Sequence, residues 1–434
     1  MKHARAPGDY MRFNCVCVLL TGLTLSGIMS SALPGGEHTQ KDAVECRIRK
    51  GLPNFFAKLE AGKPVRIAYL GGSITAANGW RGKTLAWFRK QYPKAKVDEI
   101  HAAIGGTGSG LGVYRLDHDV LRHNPDLVFV EFAVNDGGTP PESIHRSMEG
   151  IVRQIWRKNP ATGICYVYTL ASNMVKDLQN GKFPRSASAM EDIADHYGIP
   201  SIHMGMEVVE RITAGKLIFT SKTAKSGKQT AFARDSCHPH DAGHKIYAEV
   251  VARSMLKIKR EGTPGAHSIP PPFAANNWEA AKTVPLDKAM LKGKWKELDP
   301  KKHPIAKRFS ARMPALWNAD TPESSLRFKF KGTAVGFYDL LGPDCGQLII
   351  TIDGKPASTR ARIDHYCTYH RISQLMVARD LKNDIHEVHI KVHPDQPDKV
   401  KIMRNHPDMK KNPRKYDGRN WYVGGIFLIG DLVK

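Results

Sequence analysis

The stretch VRIAYLGGSITAANGW, residues 65–80, decides how the chain is read. Its first six residues form a β-branched, apolar run of strand length. Two glycines follow, then Ser73, Ile74 and Thr75. A strand that runs out in two glycines and a serine has two readings. The serine caps the next helix at a tight turn, or it is a nucleophile whose approach the missing side chains leave clear. The rest of the chain decides between them.

Four further runs have the character of 65–70: KVDEIHAA (96–103), DLVFVEFAV (126–134), GICYVYTL (163–170) and IPSIHM (199–204). Amphipathic stretches such as GKTLAWFRKQY and SIHRSMEGIVRQIWRKN separate them. Strands alternating with helices of this length predict a parallel sheet of five strands covered on both faces. The near-continuous apolar run 126–134 suits a central strand, and Glu131 within it needs a partner if it is buried. From about Glu261 the texture changes. Residues 261–300 are rich in Pro and Ala and read as a linker. Residues 301–434 carry short alternating runs (SLRFKFKG, AVGFYDLL, GQLIITIDG, HEVHIKVH, WYVGGIFLIG) punctuated by turn residues, the pattern of an antiparallel β-sandwich. The segment 408–420 reads as a basic loop.

A chain of 434 residues exceeds one ordinary core, so two domains are expected. Residues 1–32 have the layout of a secretory signal: Lys2, Arg5 and Arg12, an apolar run from Phe13 to Met29, then the small residues Ser30 and Ala32. That run is short for a bilayer, so a secreted or periplasmic protein without integral membrane association is expected. Cys15 and Cys17 leave with the signal, and the five remaining cysteines fit no CxxC metal framework. A Cys345–Cys367 bridge would suit an oxidising compartment, but spacing does not establish it. The net charge is +23, and losing residues 1–32, with three basic residues and one acidic, leaves +21. Such an excess attracts polyanions. An exported chain without a nucleic-acid motif directs that attraction to acidic polysaccharide and not to nucleic acid, the alternative being a plainly solvated basic surface.

In an open parallel sheet, functional residues collect beyond the carboxyl ends of the strands, where strand order reverses. Ser73 follows the first strand, HAAIGGTGSGLG the second, and FAVND brings Asn135 to the tip of the third. Later, RDSCHPHDAGHKIYAEV offers Asp235 and His238 three residues apart, before a helix. A serine hydroxyl needs a base to take its proton, and imidazole serves near neutral pH when a carboxylate holds its tautomer. The anionic oxygen formed in acyl transfer needs fixed donors. The N–H groups of Ser73 and Gly106 and the amide of Asn135 would provide three. His238, His240 and His244 also spell H-x-H-x3-H, a metal alternative that would leave Ser73, Gly106 and Asn135 without a shared purpose; no metal or cofactor is expected. His244 and Tyr247 read as packing or capping residues of the last helix.

With GGSIT, IGGTG, VND and DSCH in that order, residues 46–258 resemble the SGNH (GDSL-type) hydrolase superfamily. The resemblance implies a flavodoxin-like three-layer α/β/α hydrolase domain over 46–260. It also implies Ser73 as nucleophile, Asp235 and His238 as the rest of a triad, and Ser73, Gly106 and Asn135 as the oxyanion hole. Gly72 stands where the GDSL form has aspartate, and Ala133 where glycine usually precedes the Asn–Asp pair. The second domain, 301–434, resembles the jelly-roll modules of carbohydrate esterases. The function this implies is removal of O-acetyl or other short acyl groups from a polysaccharide or oligosaccharide, an anionic one if the charge is functional. A lipid or short-chain acyl esterase and a non-catalytic glycan-binding protein are the alternatives. Trp80, Tyr114 and Tyr338 are candidate stacking faces for sugar rings.

Overall fold

A computed structural model describes residues 38–433. The expected export signal, 1–32, lies outside the described residues. The five expected parallel strands form as β2 (Val65–Gly71), β3 (Val97–His101), β4 (Leu127–Glu131), β5 (Gly163–Tyr168) and β6 (Ser201–His203). A short strand, β1 (Cys46–Arg47), pairs antiparallel with β6, so the sheet has six strands in the order β1-β6-β5-β4-β2-β3. The five-stranded parallel sheet expected from the sequence is thus corrected to a mixed sheet. Two residues are too few to give a period-2 signal. They form a strand because β6 would otherwise leave its backbone unpaired at the edge.

The parallel strands keep the flavodoxin-like order. From β2 the chain moves to β3 on one side and then crosses to β4 on the other, so the tips of β2 and β4 are neighbours at the switch point. β4 and β5 are buried throughout, which accounts for their unbroken apolar runs. Helix Trp80–Gln91 packs against helix Asp241–Ile258, and helix Pro141–Lys158 against Arg185–Tyr197. The third of these shows why such segments are helical. Ile144, Met148, Ile151, Val152 and Ile155 recur at helical spacing and are buried. Proline opens its first turn, with Glu142 beside it, and Arg157 and Lys158 close the last, in accord with the helix dipole.

Before the last helix the chain forms a small sheet of β7 (Leu217–Thr220), β8 (Lys225–Ser226) and β9 (Gln229–Ala233), ordered β7-β9-β8.

The remaining strands are β10 (Ala281–Val284), β11 (Leu291–Lys292), β12 (Trp295–Glu297), β13 (Trp317–Ala319), β14 (Ser325–Leu341), β15 (Gln347–Ile352), β16 (Ser358–Ala361), β17 (Arg371–Ala378), β18 (Asp384–Val392) and β19 (Trp421–Val433). They form one antiparallel, hydrogen-bonded sheet of ten strands. β14 serves two leaves of it. Its first half lies beside β18 and its second half beside β17, with register shifts near Gly332 and Val335, while β19 follows its other edge. Phe328, Phe330, Phe337, Val388, Ile390 and Trp421 fill the interior of this part. On the opposite face Tyr338, Leu340, Ile372 and Phe427 join the hydrophobic cluster of the α/β part. Tyr114 stacks on Phe427 at 4.7 Å, and Tyr338 packs against the same ring at 5.3 Å.

Residues 261–300, expected as a linker, run along helix Pro141–Lys158 before they enter the sheet. The backbone N–H groups of Phe273 and Ala274 donate to Glu149 at 2.6 and 2.8 Å, and that of Trp278 donates to the Arg146 carbonyl at 3.0 Å. Trp278 is buried, and Glu279 pairs with Arg153 and Arg157. Proline-rich composition excluded a helix here; it did not exclude packing. The basic segment expected as a loop, 408–420, contains the short helical turns Pro407–Lys411 and Pro413–Tyr416.

Candidate active site

β2 ends at Gly71, and Ser73 opens the one-turn helix Ser73–Ala76. A side chain at position 72 would displace its neighbour: a Cβ there would lie 1.8 Å from Asn135 Oδ1. The glycine that departs from the GDSL form therefore makes the room in which Asn135, from the tip of β4, approaches the Ser73 turn. Glu131, fully buried at the end of β4, accepts from Thr75 Oγ1 at 2.8 Å and Thr169 Oγ1 at 2.6 Å, and from the Gly72 N–H. Burial raises its carboxyl above the usual range. This is the partner its position demands, and it fixes the turn that presents Ser73.

The loop after β3 closes the other side. The N–H groups of Ala102 and Ile104 donate to the Tyr69 and Gly71 carbonyls, extending the β2–β3 pairing beyond the strand end. Gly105 then passes beside Ser73, a Cβ on it lying 3.6 Å from Ser73 Cβ. Gly106 adopts a φ of +72° in an exposed turn, a conformation that favours glycine. Asp136 ties this loop to the Asn135 loop by accepting the Ser109 N–H at 3.2 Å on both carboxylate oxygens. Burial raises its carboxyl to about 6 against these bonds. Nothing local in sequence marks Asp136, next to Asn135, as the tie between these loops.

His238 and Asp235 arrive on the loop between β9 and the last helix. That loop is closed by Arg234 N–H to the His238 carbonyl at 3.0 Å and His240 N–H to the Phe232 carbonyl at 2.8 Å. Ser73 Oγ lies 2.8 Å from His238 Nε2, and His238 Nδ1 lies 3.0 and 2.9 Å from the two Asp235 oxygens. Asp235 also accepts the N–H groups of Cys237 and His238 at 3.0 and 2.8 Å. Its partial burial works against ionisation, but these two backbone donors and the imidazole outweigh it and hold the carboxyl at about 2. An ionised carboxylate, an imidazole with Nδ1–H turned toward it and a hydroxyl at the free ring nitrogen form a proton-transfer line. Such a line can activate a serine for acyl transfer.

The other candidates separate. His240 Nε2 meets the Ser221 carbonyl at 2.9 Å, whereas His244 Nδ1 accepts from Trp80 N–H at 3.2 Å, so H-x-H-x3-H does not gather around one point. Burial lowers His244 to about 4. Tyr247 is buried, and its hydroxyl accepts the Leu170 N–H, a packing role as expected. Trp80, Tyr114 and Tyr338 are buried and present no face to a sugar. They read as accessible because their covering residues lie far along the chain. Among the described residues Tyr366, Tyr369 and Phe273, 63%, 50% and 43% exposed, are the aromatic side chains that stand out. Cys345 and Cys367 are buried free thiols with no bridge between them.

Residues 69–246 match the model of the GDSL-like lipase/acylhydrolase family. No curated protein matches the chain. Among solved structures, a two-domain esterase active on acetylated mannans, crystallised with mannopentaose, is similar over 89% of this chain and 97% of its own, with 21% identity and a TM-score of 0.69. The structure of a two-domain esterase active on acetylated mannans without the oligosaccharide is similar over the same shares, with 20% identity and a TM-score of 0.68. The α/β part thus has the SGNH hydrolase fold and is joined, as in those structures, to a second, β-rich part. Over residues 69–246, the stretch that holds Ser73, Asn135, Asp235 and His238, the chain is thus similar to the GDSL-like acylhydrolases.

Proposed function

We propose that this protein is an exported carbohydrate O-acetylesterase acting through Ser73, His238 and Asp235. The observation that carries the reading is the unbroken line from Ser73 Oγ to His238 Nε2 and from Nδ1 to Asp235, at 2.8 and 2.9 Å. Ser73 Oγ attacks the acetyl carbonyl carbon while His238 Nε2 takes its proton. The carbonyl oxygen gains negative charge beside the N–H groups of Ser73 and Gly106 and the Asn135 amide. Collapse expels the sugar oxygen, which His238 protonates, and leaves an acetyl group on Ser73. Water, deprotonated by the same imidazole, then releases acetate and restores the serine.

The catalytic unit in this reading is 46–260, and the β part, expected over 301–434 but with a sheet that already takes in β10 at Ala281–Val284, is an accessory domain. Carbohydrate is favoured as substrate by the likeness in fold to esterases active on acetylated mannans. Export is favoured by the character of residues 1–32, and among the described residues no helix is long and apolar enough to cross a membrane. The net charge of +21 after loss of residues 1–32 favours a glycan that carries acids. Acetate release from a panel of acetylated mannan, xylan and uronate-bearing polymers tests the reading. Release from at least one of them, faster than octanoate from octanoyl esters, is expected. Octanoyl esters cleaved faster than every acetylated glycan would make the protein a lipid esterase.

A further inference from the structure

We infer that the small sheet beside the catalytic loop reads acid groups on the glycan, Lys222, Lys225 and Lys228 attracting the carboxylates of uronate units that neighbour the acetylated sugar. The inference deepens the reading of an esterase for anionic glycans and rests on it. Between Glu210 and Asp235 the chain has six basic residues, Arg211, Lys216, Lys222, Lys225, Lys228 and Arg234, and no acidic one. Arg211 is taken up by Glu207 and Glu249, and Arg234 Nε lies 3.8 Å from Asp235 Oδ2. Among the described residues no carboxylate pairs with Lys222, Lys225 or Lys228, and all three are exposed. Lysines elsewhere are neutralised: Lys83, Lys182 and Lys415 meet Asp241, Asp42 and Asp408 at 2.7, 2.6 and 2.8 Å.

The fold fixes where the three free charges stand. Thr220 of β7 is in register with Ala233 of β9, and the Ser221 N–H donates to the Ala233 carbonyl at 3.0 Å. The Ser221 carbonyl lies 2.9 Å from His240 Nε2, and Thr220 Oγ1 donates to the Asp235 carbonyl at 3.1 Å. Lys222 therefore follows directly on a residue bonded to both ends of the loop that carries Asp235 and His238. β8 then pairs with β9 through Lys225–Thr230 and Ser226–Gln229, and Gly227, at φ +60°, opens the two-residue turn that holds Lys228. At about 3.3 Å per residue, Thr230 lies about 10 Å up β9 from Ala233. The charges thus step away from the catalytic loop: Lys222 beside it, Lys225 farther out, Lys228 at the tip.

A polymer with acids on successive units can meet such a row while one of its acetyl groups sits at Ser73; a small neutral ester meets none of it. Lysine suits the task. Its ammonium is a compact charge on a flexible stem, so it attracts carboxylates at varied positions without demanding one bidentate geometry. Like charges held on so small a sheet repel one another, and a polyanion relieves that repulsion.

The test separates this sheet from the overall charge. Binding of an oligogalacturonate without acetyl groups is measured by calorimetry on Ser73→Ala protein at about 0.01 M salt. Adding Lys222→Gln/Lys225→Gln/Lys228→Gln should weaken binding by about tenfold, three exposed pairs each worth a factor of about two. Adding Lys329→Gln/Lys331→Gln/Lys391→Gln, which removes the same charge from exposed positions on β14 and β18, should change it by less than about twofold. The difference should close toward 0.15 M salt, where the Debye length is about 8 Å. In the active enzyme, the first triple should lower the ratio of kcat/KM on acetylated polygalacturonate to that on an aryl acetate by about tenfold. Equal weakening by both triples, no binding by the parent, or no effect of the first triple would each overturn the inference. If binding behaves as expected while the wild type hydrolyses no ester, the acid-reading sheet stands and the esterase reading falls.

Discussion

At position 72 a missing methyl group does chemical work. A Cβ there would overlap Asn135 Oδ1 at 1.8 Å, yet the backbone at Gly72, with φ −91° and ψ −155°, is open to any residue. Gly72→Ala should therefore fold and push the Asn135 side chain aside. Asn135→Ala is expected to lower kcat by about 10²–10³ with KM nearly unchanged, as for a donor used chiefly in the transition state. Gly72→Ala should reproduce most of that loss. Steady-state kinetics of both variants decide the matter: a Gly72→Ala enzyme with the wild-type kcat would show that Asn135 has no part in the reaction. This coupling was not legible in the sequence, where Gly72 appeared only as a departure from the GDSL pattern. The catalytic blocks themselves were legible because each is local, a few residues at a strand end or on one loop. What each block touches depends on residues dozens of positions away.

At the scale of the element, the loops after β3 and β4 are held together by one carboxylate. Asp136 accepts the Ser109 N–H, and burial raises its carboxyl from the ordinary 3.8 to about 6. The folded protein thus holds this proton more tightly than the unfolded chain. Its contribution to stability is full below about pH 4 and is lost as pH rises through about 6. Asp136→Asn, which does not titrate, should have a flatter dependence of Tm on pH between 4 and 6.5 than the wild type, measured by calorimetry. An unchanged slope would mean that Asp136 does not titrate in that window. The parallel strands and their order were readable from apolar runs and helical spacing, because β4 and β5 are buried on both faces and say so in sequence. The edge strand β1 and the small sheet β7–β9 were not, since strands of two to five residues owe their existence to the neighbours they pair with.

At the scale of the whole molecule, the α/β and β parts share a hydrophobic cluster, and Tyr114, Tyr338 and Phe427 lie at its seam. The alternation in the last strands was legible as β structure, but a surface that buries both of its faces reads like an ordinary half-exposed strand. Phe427→Ala should cost about 3–5 kcal/mol, and the described chain should unfold in one calorimetric transition before and after the change. Two separate transitions in the wild type would show the parts to be independent. The same seam makes deletion of residues 301–434 a folding defect, because it would uncover Tyr114. A point test of the charge is therefore better made on the intact protein. Binding to a uronate-bearing polymer should weaken strongly as salt rises from about 0.01 to 0.1 M, where the Debye length falls from about 30 to 10 Å, while turnover of a small neutral acetyl ester stays level. Salt-indifferent binding would reduce the +23 of the chain to a solvated surface. The most direct test of the central claim is the rate of acetate release by Ser73→Ala, measured on an aryl acetate and on an acetylated glycan the wild type cleaves. The account predicts a folded protein whose kcat/KM falls by about 10⁴-fold or more on both. A variant that keeps its rate within about tenfold of wild type, a loss of no more than about 1.4 kcal/mol in transition-state binding, would contradict it.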